Sequence, residues 1–207
     1  MPAQGIDLSR IAAAARSALV IIDMQNDFCH ADGTFGAAGA DVARAAAIVP
    51  AIKRLRQAAR SCGVPVIHVR TEHSDATDTP GWRLRGGSSP GGSANVRRGT
   101  WGAEWFSVIP APQDQVLLKH RYSAFVGTDL DQRLRADGVE TVVVVGVVAD
   151  TCVESTVRDA CMRDYLTIVP ADGVASYRAE DEAAALRSVA RAFGVICSTD
   201  ELAEIWA

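Results

Sequence analysis

No stretch of this sequence approaches the ~20 consecutive apolar residues of a membrane-spanning helix, so no membrane partner is expected. Charge of one sign is also lacking. Twenty-one basic against 25 acidic side chains leave a formal −4, which draws in neither nucleic acid nor an acidic lipid surface. Arg97 and Arg98 form the only tight basic pair in the loop region, too small a patch to track phosphates. The five cysteines, Cys29, Cys62, Cys152, Cys161 and Cys197, are odd in number and include no C-x-x-C pair. A chain of this size needs no disulfide staples, so reduced thiols in a cytoplasm are expected. A convincing signal peptide is missing too: residues 11–15, between Arg10 and Arg16, are too weakly hydrophobic and read as a short helix capped by Asp7 or Ser9. No G-x-G-x-x-G or P-loop follows the first strand, which removes the usual nucleotide fingerprints. No repeat or linker interrupts the 207 residues, and one domain over 1–207 is expected.

What the chain does have is a regular alternation of short aliphatic runs with helical patterns. Strands are expected at 17–23, 64–70, 115–120, 142–145, 166–172 and 195–197. A helical pattern over 41–62 is either broken or started by Pro50 and is stopped by Gly63. Further helices are expected at 129–136, after the turn at Asp150 and Thr151, at 183–193, and beyond a capping box at 198–201. The fold class is therefore α/β: one three-layer doubly wound domain with a six-stranded, mostly parallel sheet and helices on both faces. Cys62, Cys161 and Cys197 read as core residues, whereas Cys29 follows a strand end that lines either core or site. His68 alternates with Val66 and Arg70 and reads as a hydrogen-bonded histidine of the core or an edge. Residues 74–100 are the longest irregular stretch, a functional lid or a disordered loop. Trp82, Trp101 and Trp105 sit in or beside it, suited equally to closing over a small ligand and to a subunit contact.

Cys152 falls where the fourth strand hands over to a helix, off the apolar stripe of Val153, Val157, Ala160, Cys161 and Tyr165. Unpaired backbone N–H groups and the positive end of the helix dipole stabilise a thiolate there, so its pKa is expected to fall. A free cysteine alone is more often a small buried hydrophobe. The setting argues otherwise, because open α/β sheets bind ligands at the carboxyl edge of their strands. Asp23 and Lys119 end strands one and three, and in a sheet whose order reverses beside strand one those ends converge with Cys152. Asp23 would take the thiol proton, while Lys119 would hold the carboxylate and favour thiolate. Singly, Asp23 or Lys119 reads as half of a structural ion pair; three such groups at corresponding strand ends read as a catalytic site.

Residues 20–28 (Val-Ile-Ile-Asp-Met-Gln-Asn-Asp-Phe), 119–125 (Lys-His-Arg-Tyr-Ser-Ala-Phe) and 146–156 (Gly-Val-Val-Ala-Asp-Thr-Cys-Val-Glu-Ser-Thr) carry a resemblance that spans nearly the whole chain. The sequence resembles the isochorismatase-like cysteine hydrolase superfamily. That resemblance implies an Asp-Lys-Cys triad at Asp23, Lys119 and Cys152. It also implies a cis, non-proline peptide bond at Val147–Val148 and an oxyanion hole built from the backbone N–H groups of Val148 and Cys152. Relatives that hydrolyse the vinyl ether of isochorismate typically lack this cysteine, so Cys152 favours the amide-cleaving members. Residues 99–102, 119–125 and 152–156 look most similar to ureidoacrylate and N-carbamoylsarcosine amidohydrolases, implying a small ureido, carbamoyl or primary-amide acid as substrate and no cofactor.

The candidates to touch that substrate are Gln25, Phe28, Trp101, Glu104, Arg121, Tyr122, Phe125 and Thr151. Arg121 either pairs with a substrate carboxylate or is structural. Nicotinamidase relatives bind a metal through an Asp and His cluster after strand two. Residues 72–75 (Glu-His-Ser-Asp) do not reproduce that pattern, so no metal is expected; a site at His73 and Asp75 is the alternative. By resemblance the assembly is a homodimer or homotetramer. A nicotinamidase or isochorismatase-type hydrolase is the alternative enzyme. A nucleotide-binding or redox-sensing module using Cys152 as a switch is the alternative class, disfavoured because Cys161 faces the core.

Overall fold

A computed structural model describes residues 7–86 and 94–207. Its centre is a pair of strands, β1 (Ser17–Ile22) and β4 (Thr141–Val147), in which every residue is buried. Their β-branched side chains fit a pleated surface covered on both sides. Outward on one side lie β2 (Val66–Thr71) and β3 (Gln115–Lys119); on the other lie β5 (Leu166–Pro170) and β7 (Val195–Cys197). The row runs β3-β2-β1-β4-β5-β7, and each of these pairs is parallel. The six expected strands make this row. A seventh, the two-residue β6 (Val174–Ala175), pairs with the end of β4 at Gly146 and Val147.

Successive residues of β1 point to opposite faces, and the two cores divide accordingly. Leu19 and Ile21 join α5 (Val49–Ser61) and α10 (Thr199–Ile205) through Ile52, Leu55, Leu202 and Trp206. Val20 and Ile22 join α7 (Leu130–Ala136), α8 (Glu154–Cys161) and α9 (Ala179–Ala192) through Leu134, Val157 and Val189. The chain winds from β1 out to β3, returns to β4 and then winds the other way. The reversal leaves a crevice at the carboxyl ends of β1 and β4. Gly146 makes the pairing possible at that end: its φ is +112°, and a Cβ there would run into the carbonyl oxygen of Ile22.

Several local expectations are met and several are revised. Asp7 caps a first short helix, α1 (Leu8–Ile11), accepting from the N–H groups of Ser9 and Arg10; the short helices α2 (Asn26–Cys29), α3 (Thr34–Ala37) and α4 (Val42–Ala47) follow β1, and α6 (Pro80–Gly86) follows β2. Pro50 lies in the first turn of α5, and a separate helix, Val42–Ala47, precedes it. Ser198 and Glu201 form the expected capping box. Cys62 is exposed, not core, because it falls just past the last turn of α5. Cys161 and Cys197 are half-buried, and Cys29 is fully within the core, where burial pushes its thiol up to about 12. The 74–100 stretch contains a helix, Pro80–Gly86, while its residues 87–93 lie outside those described. Among the described residues, no helix is long and apolar enough to cross a membrane.

His68 is fully buried on β2, with Nε2 3.1 Å from Asp114 Oδ2. Burial dominates and pulls its pKa from an ordinary 6.5 to about 4, against the opposing pull of Asp114. Between those values the unfolded chain binds a proton that the folded chain refuses, so stability falls as pH drops through this window. Denaturation at about pH 7 and about pH 4.5 should differ by roughly 2–3 kcal/mol on account of this residue. His68→Gln should flatten that slope, and an undiminished slope in the variant would refute the assignment.

Candidate active site

Parallel register brings three strand tips side by side. Asp23 follows β1 directly, in the left-handed region (φ +52°) that aspartate enters more readily than most residues. Thr71, the last residue of β2, is paired with Lys119, the last residue of β3. Lys119 Nζ donates to Asp23 Oδ2 at 2.7 Å, to Thr71 Oγ1 at 2.6 Å and to the Arg121 carbonyl at 3.1 Å. Thr71 Oγ1 in turn donates to Asp23 Oδ1 at 2.9 Å. Cys152 Sγ lies 3.5 Å from Nζ, in the π-helical turn Ala149–Val153 that leads into α8. The turn is tied to the 120s segment by Thr156, whose hydroxyl donates to the Cys152 carbonyl and accepts from the N–H of Ala124. The Val147–Val148 peptide bond is cis.

Electrostatics in this cluster follow from burial. Desolvation works against the charge on Lys119, but Asp23 and Cys152 outweigh it and hold its pKa above the ordinary value. For Cys152 the balance tips the other way. Burial pushes the thiol up, Lys119 pulls it down, and Asp23 adds to the rise. The expected fall in the Cys152 pKa is thus reversed: the sulfur packs in the core cluster with Ala149 and Val153, and that burial favours the thiol over the thiolate.

A cavity of about 620 Å³ opens over the sulfur. Lys119, Val148, Thr151 and Cys152 line it, as do Phe28, Arg121 and Tyr122. Asp23, 1% exposed, sits against Lys119 and is not itself part of the lining. Four expected substrate contacts lie elsewhere. Gln25 is buried with its amide engaged by backbone, donating to the Thr71 and Ala103 carbonyls and accepting from the Thr71 N–H. Phe125 stacks on Tyr165 in the core. Trp101 is 51% exposed and meets His30 edge-on, and Glu104 is exposed near Arg70.

Arg121 reaches the Thr77 carbonyl with both terminal nitrogens and the His120 carbonyl with one, and it lies over the Trp82 ring. His73 is paired with Asp78, while Asp75 and Asp78 both accept from Arg97. No three His, Cys, Asp or Glu side chains among the described residues are grouped to hold a metal.

Sequence reasoning passed over Thr71 and Asp27. Thr71 stands at a strand tip, the same signal that singled out Asp23 and Lys119, but a threonine in a strand looks ordinary. Asp27 is a buried carboxylate that accepts from the N–H groups of Thr34 and Val96 and so pins the loops around the cavity. Gly102 packs against it, where a Cβ would overlap the carboxylate.

A doubly wound sheet with a thiol, an ammonium and a carboxylate gathered at its switch point defines a class of α/β hydrolase. The sequence model of the isochorismatase domain matches residues 17–201, and the chain belongs to the isochorismatase family. It is 33% identical over 196 residues to the ureidoacrylate amidohydrolase of Methylobacterium radiotolerans, covering 87% of this chain and 75% of that one. Among solved structures it is similar to a cysteine hydrolase from Pseudomonas syringae pv. phaseolicola (TM-score 0.83, 30% identity, 100% of this chain and 96% of that one). It is also similar to the N-carbamoylsarcosine amidase of Thermoplasma acidophilum (TM-score 0.75, 33% identity, 89% and 97%).

The buried pair sets a stability test. Lys119→Met strands the Asp23 carboxylate without its cation and should cost about 3–5 kcal/mol. Adding Asp23→Asn should recover part of that loss in chemical denaturation. A double variant less stable than Lys119→Met alone would contradict the pairing.

Proposed function

We propose that this protein is a cysteine-dependent amidohydrolase that cleaves the C–N bond of a small ureido, carbamoyl or primary-amide acid through a thioester. The observation that carries this reading is the meeting of Asp23, Lys119 and Cys152, with Nζ 2.7 Å from the carboxylate and 3.5 Å from the sulfur, beside an open cavity. The sulfur attacks the carbonyl carbon while its proton passes to Asp23, so a neutral thiol becomes a nucleophile only when substrate arrives. Lys119 holds the forming thiolate and fixes the base. The backbone N–H groups of Val148 and Cys152 receive the developing oxyanion, each worth on the order of 3 kcal/mol. Asp23 then returns its proton to the departing nitrogen as the C–N bond breaks. Water, deprotonated by Asp23, attacks the thioester, and the proton goes back to the sulfur as acid leaves.

The similarity to ureidoacrylate and N-carbamoylsarcosine hydrolases supports a ureido or carbamoyl group over other amides. The same family resemblance supports a homodimer or homotetramer. Ammonia release from a panel of carbamoyl acids and primary amides tests the reading. Turnover should fall at least about 10³-fold in Cys152→Ala, and rapid quench of the native enzyme should show an adduct on Cys152 by mass spectrometry. An alanine variant that keeps its turnover would end this reading.

A further inference from the structure

The cavity is larger than the reaction needs. At about 620 Å³ it lies in the range of pockets that enclose drug-sized ligands, and a compact ureido acid would fill only a fraction of it. Its composition is also uneven. Phe28, Phe35 and Tyr177 form a continuous aromatic wall, with Phe28–Phe35 centroids 5.3 Å apart and Phe35–Tyr177 stacked at 5.1 Å. The Tyr177 hydroxyl donates to the Phe28 carbonyl, so its polar end is satisfied within the wall and the rings offer carbon to the cavity. Ala38 and Ala40 line the same space with small side chains, leaving room before the rings.

This wall faces the reacting centre across one cavity, which Phe28, Phe35 and Tyr177 line together with Val148 and Cys152. Most charged groups of the lining are engaged within the chain: Arg121 and Arg83 by backbone carbonyls, Asp78 by Arg97, Asp150 by Ser176, and Arg178 by Glu180 and Asp181, while Asp41 is exposed. The largest unused recognition surface beside the sulfur is therefore apolar.

From this we infer that the substrate carries a bulky apolar group, an aromatic ring or a branched chain, seated on Phe28, Phe35 and Tyr177, so that among ureido and amide substrates the bulky apolar member is preferred to the compact one. This rests on the amidohydrolase reading and narrows it. Burying such a group transfers its surface out of water and favours the transition state as well as the complex. Rings on the wall can also meet an aromatic ligand edge-on or offset.

The test compares pairs that differ only in the side group: N-carbamoylglycine with N-carbamoylphenylalanine, and acetamide with phenylacetamide. In whichever pair is turned over, kcat/KM should be at least tenfold higher for the aromatic member. That ratio should collapse in Ala38→Trp, an exposed position where added bulk fills the cavity without disturbing the core. A buried-wall variant, Phe35→Ala, should lower the ratio as well, but Ala38→Trp carries the test if Phe35→Ala fails to fold. Protection of Cys152 from iodoacetamide gives a binding readout independent of turnover. A ratio near one, or one favouring the compact member, overturns this inference and leaves the hydrolase reading standing. No turnover, with tenfold better protection by the aromatic members, sinks the hydrolase reading and supports the aromatic seat. No turnover and no difference in protection refutes both.

Discussion

Lys119 carries its charge with almost no exposed surface, and much of the surrounding architecture follows from keeping that charge satisfied. An isolated ammonium in such a place would lose its proton or unfold the chain around it. Asp23, the Thr71 hydroxyl and the Arg121 carbonyl together take its donors, and each arrives from a different part of the sequence. The parallel register of β1, β2 and β3 is what makes them neighbours, and Gln25 holds the Thr71 backbone from both its N–H and its carbonyl. The strand tips form one hydrogen-bonded unit in which removing any member costs another a hydrogen bond.

That unit explains a division of labour around the sulfur. The ammonium is near enough to stabilise a thiolate, yet burial pushes the thiol's pKa up. With the thiol neutral, the buried Asp23 carboxylate and the Lys119 ammonium balance each other and the cluster carries no net charge. In the proposed mechanism the proton moves only when the carbonyl offers somewhere for the sulfur's electrons to go. The same low-dielectric setting that raises the thiol's pKa would strengthen the Val148 and Cys152 N–H dipoles in the oxyanion role proposed for them.

The fold was legible because its signals are local and redundant. Uninterrupted β-branched runs mark β1 and β4, Gly63, Gly138 and Gly194 close helices, and Ser198 with Glu201 opens the last one. The Asp23, Lys119 and Cys152 positions were legible from one rule, that strand ends converge where the sheet reverses. What the sequence hid depends on packing from distant segments. The helix-dipole argument saw Cys152 in a first turn but not that its sulfur joins the core cluster, which reverses the sign of its shift. Gln25 and Phe125 lie within motif stretches yet serve the backbone and the core, because a motif marks a segment and not the direction of each side chain. Trp101 and Glu104 sit on a turn whose exposure no periodicity encodes. The aromatic seat joins Phe28 and Phe35 to Tyr177 across some 140 residues of chain, a contact that only the folded chain displays.

The proposed mechanism requires a buried, neutral Cys152 thiol that is activated by proton transfer to Asp23 within a Lys119-centred cluster. The most direct measurement is the ultraviolet absorbance of thiolate as a function of pH, taken as the difference between the native protein and Cys152→Ser so that the other four cysteines cancel. The expected result is no Cys152 thiolate at or below neutral pH in the resting protein. A thiolate step in the acid range would show a standing Cys152–Lys119 ion pair and rule out activation of a neutral thiol.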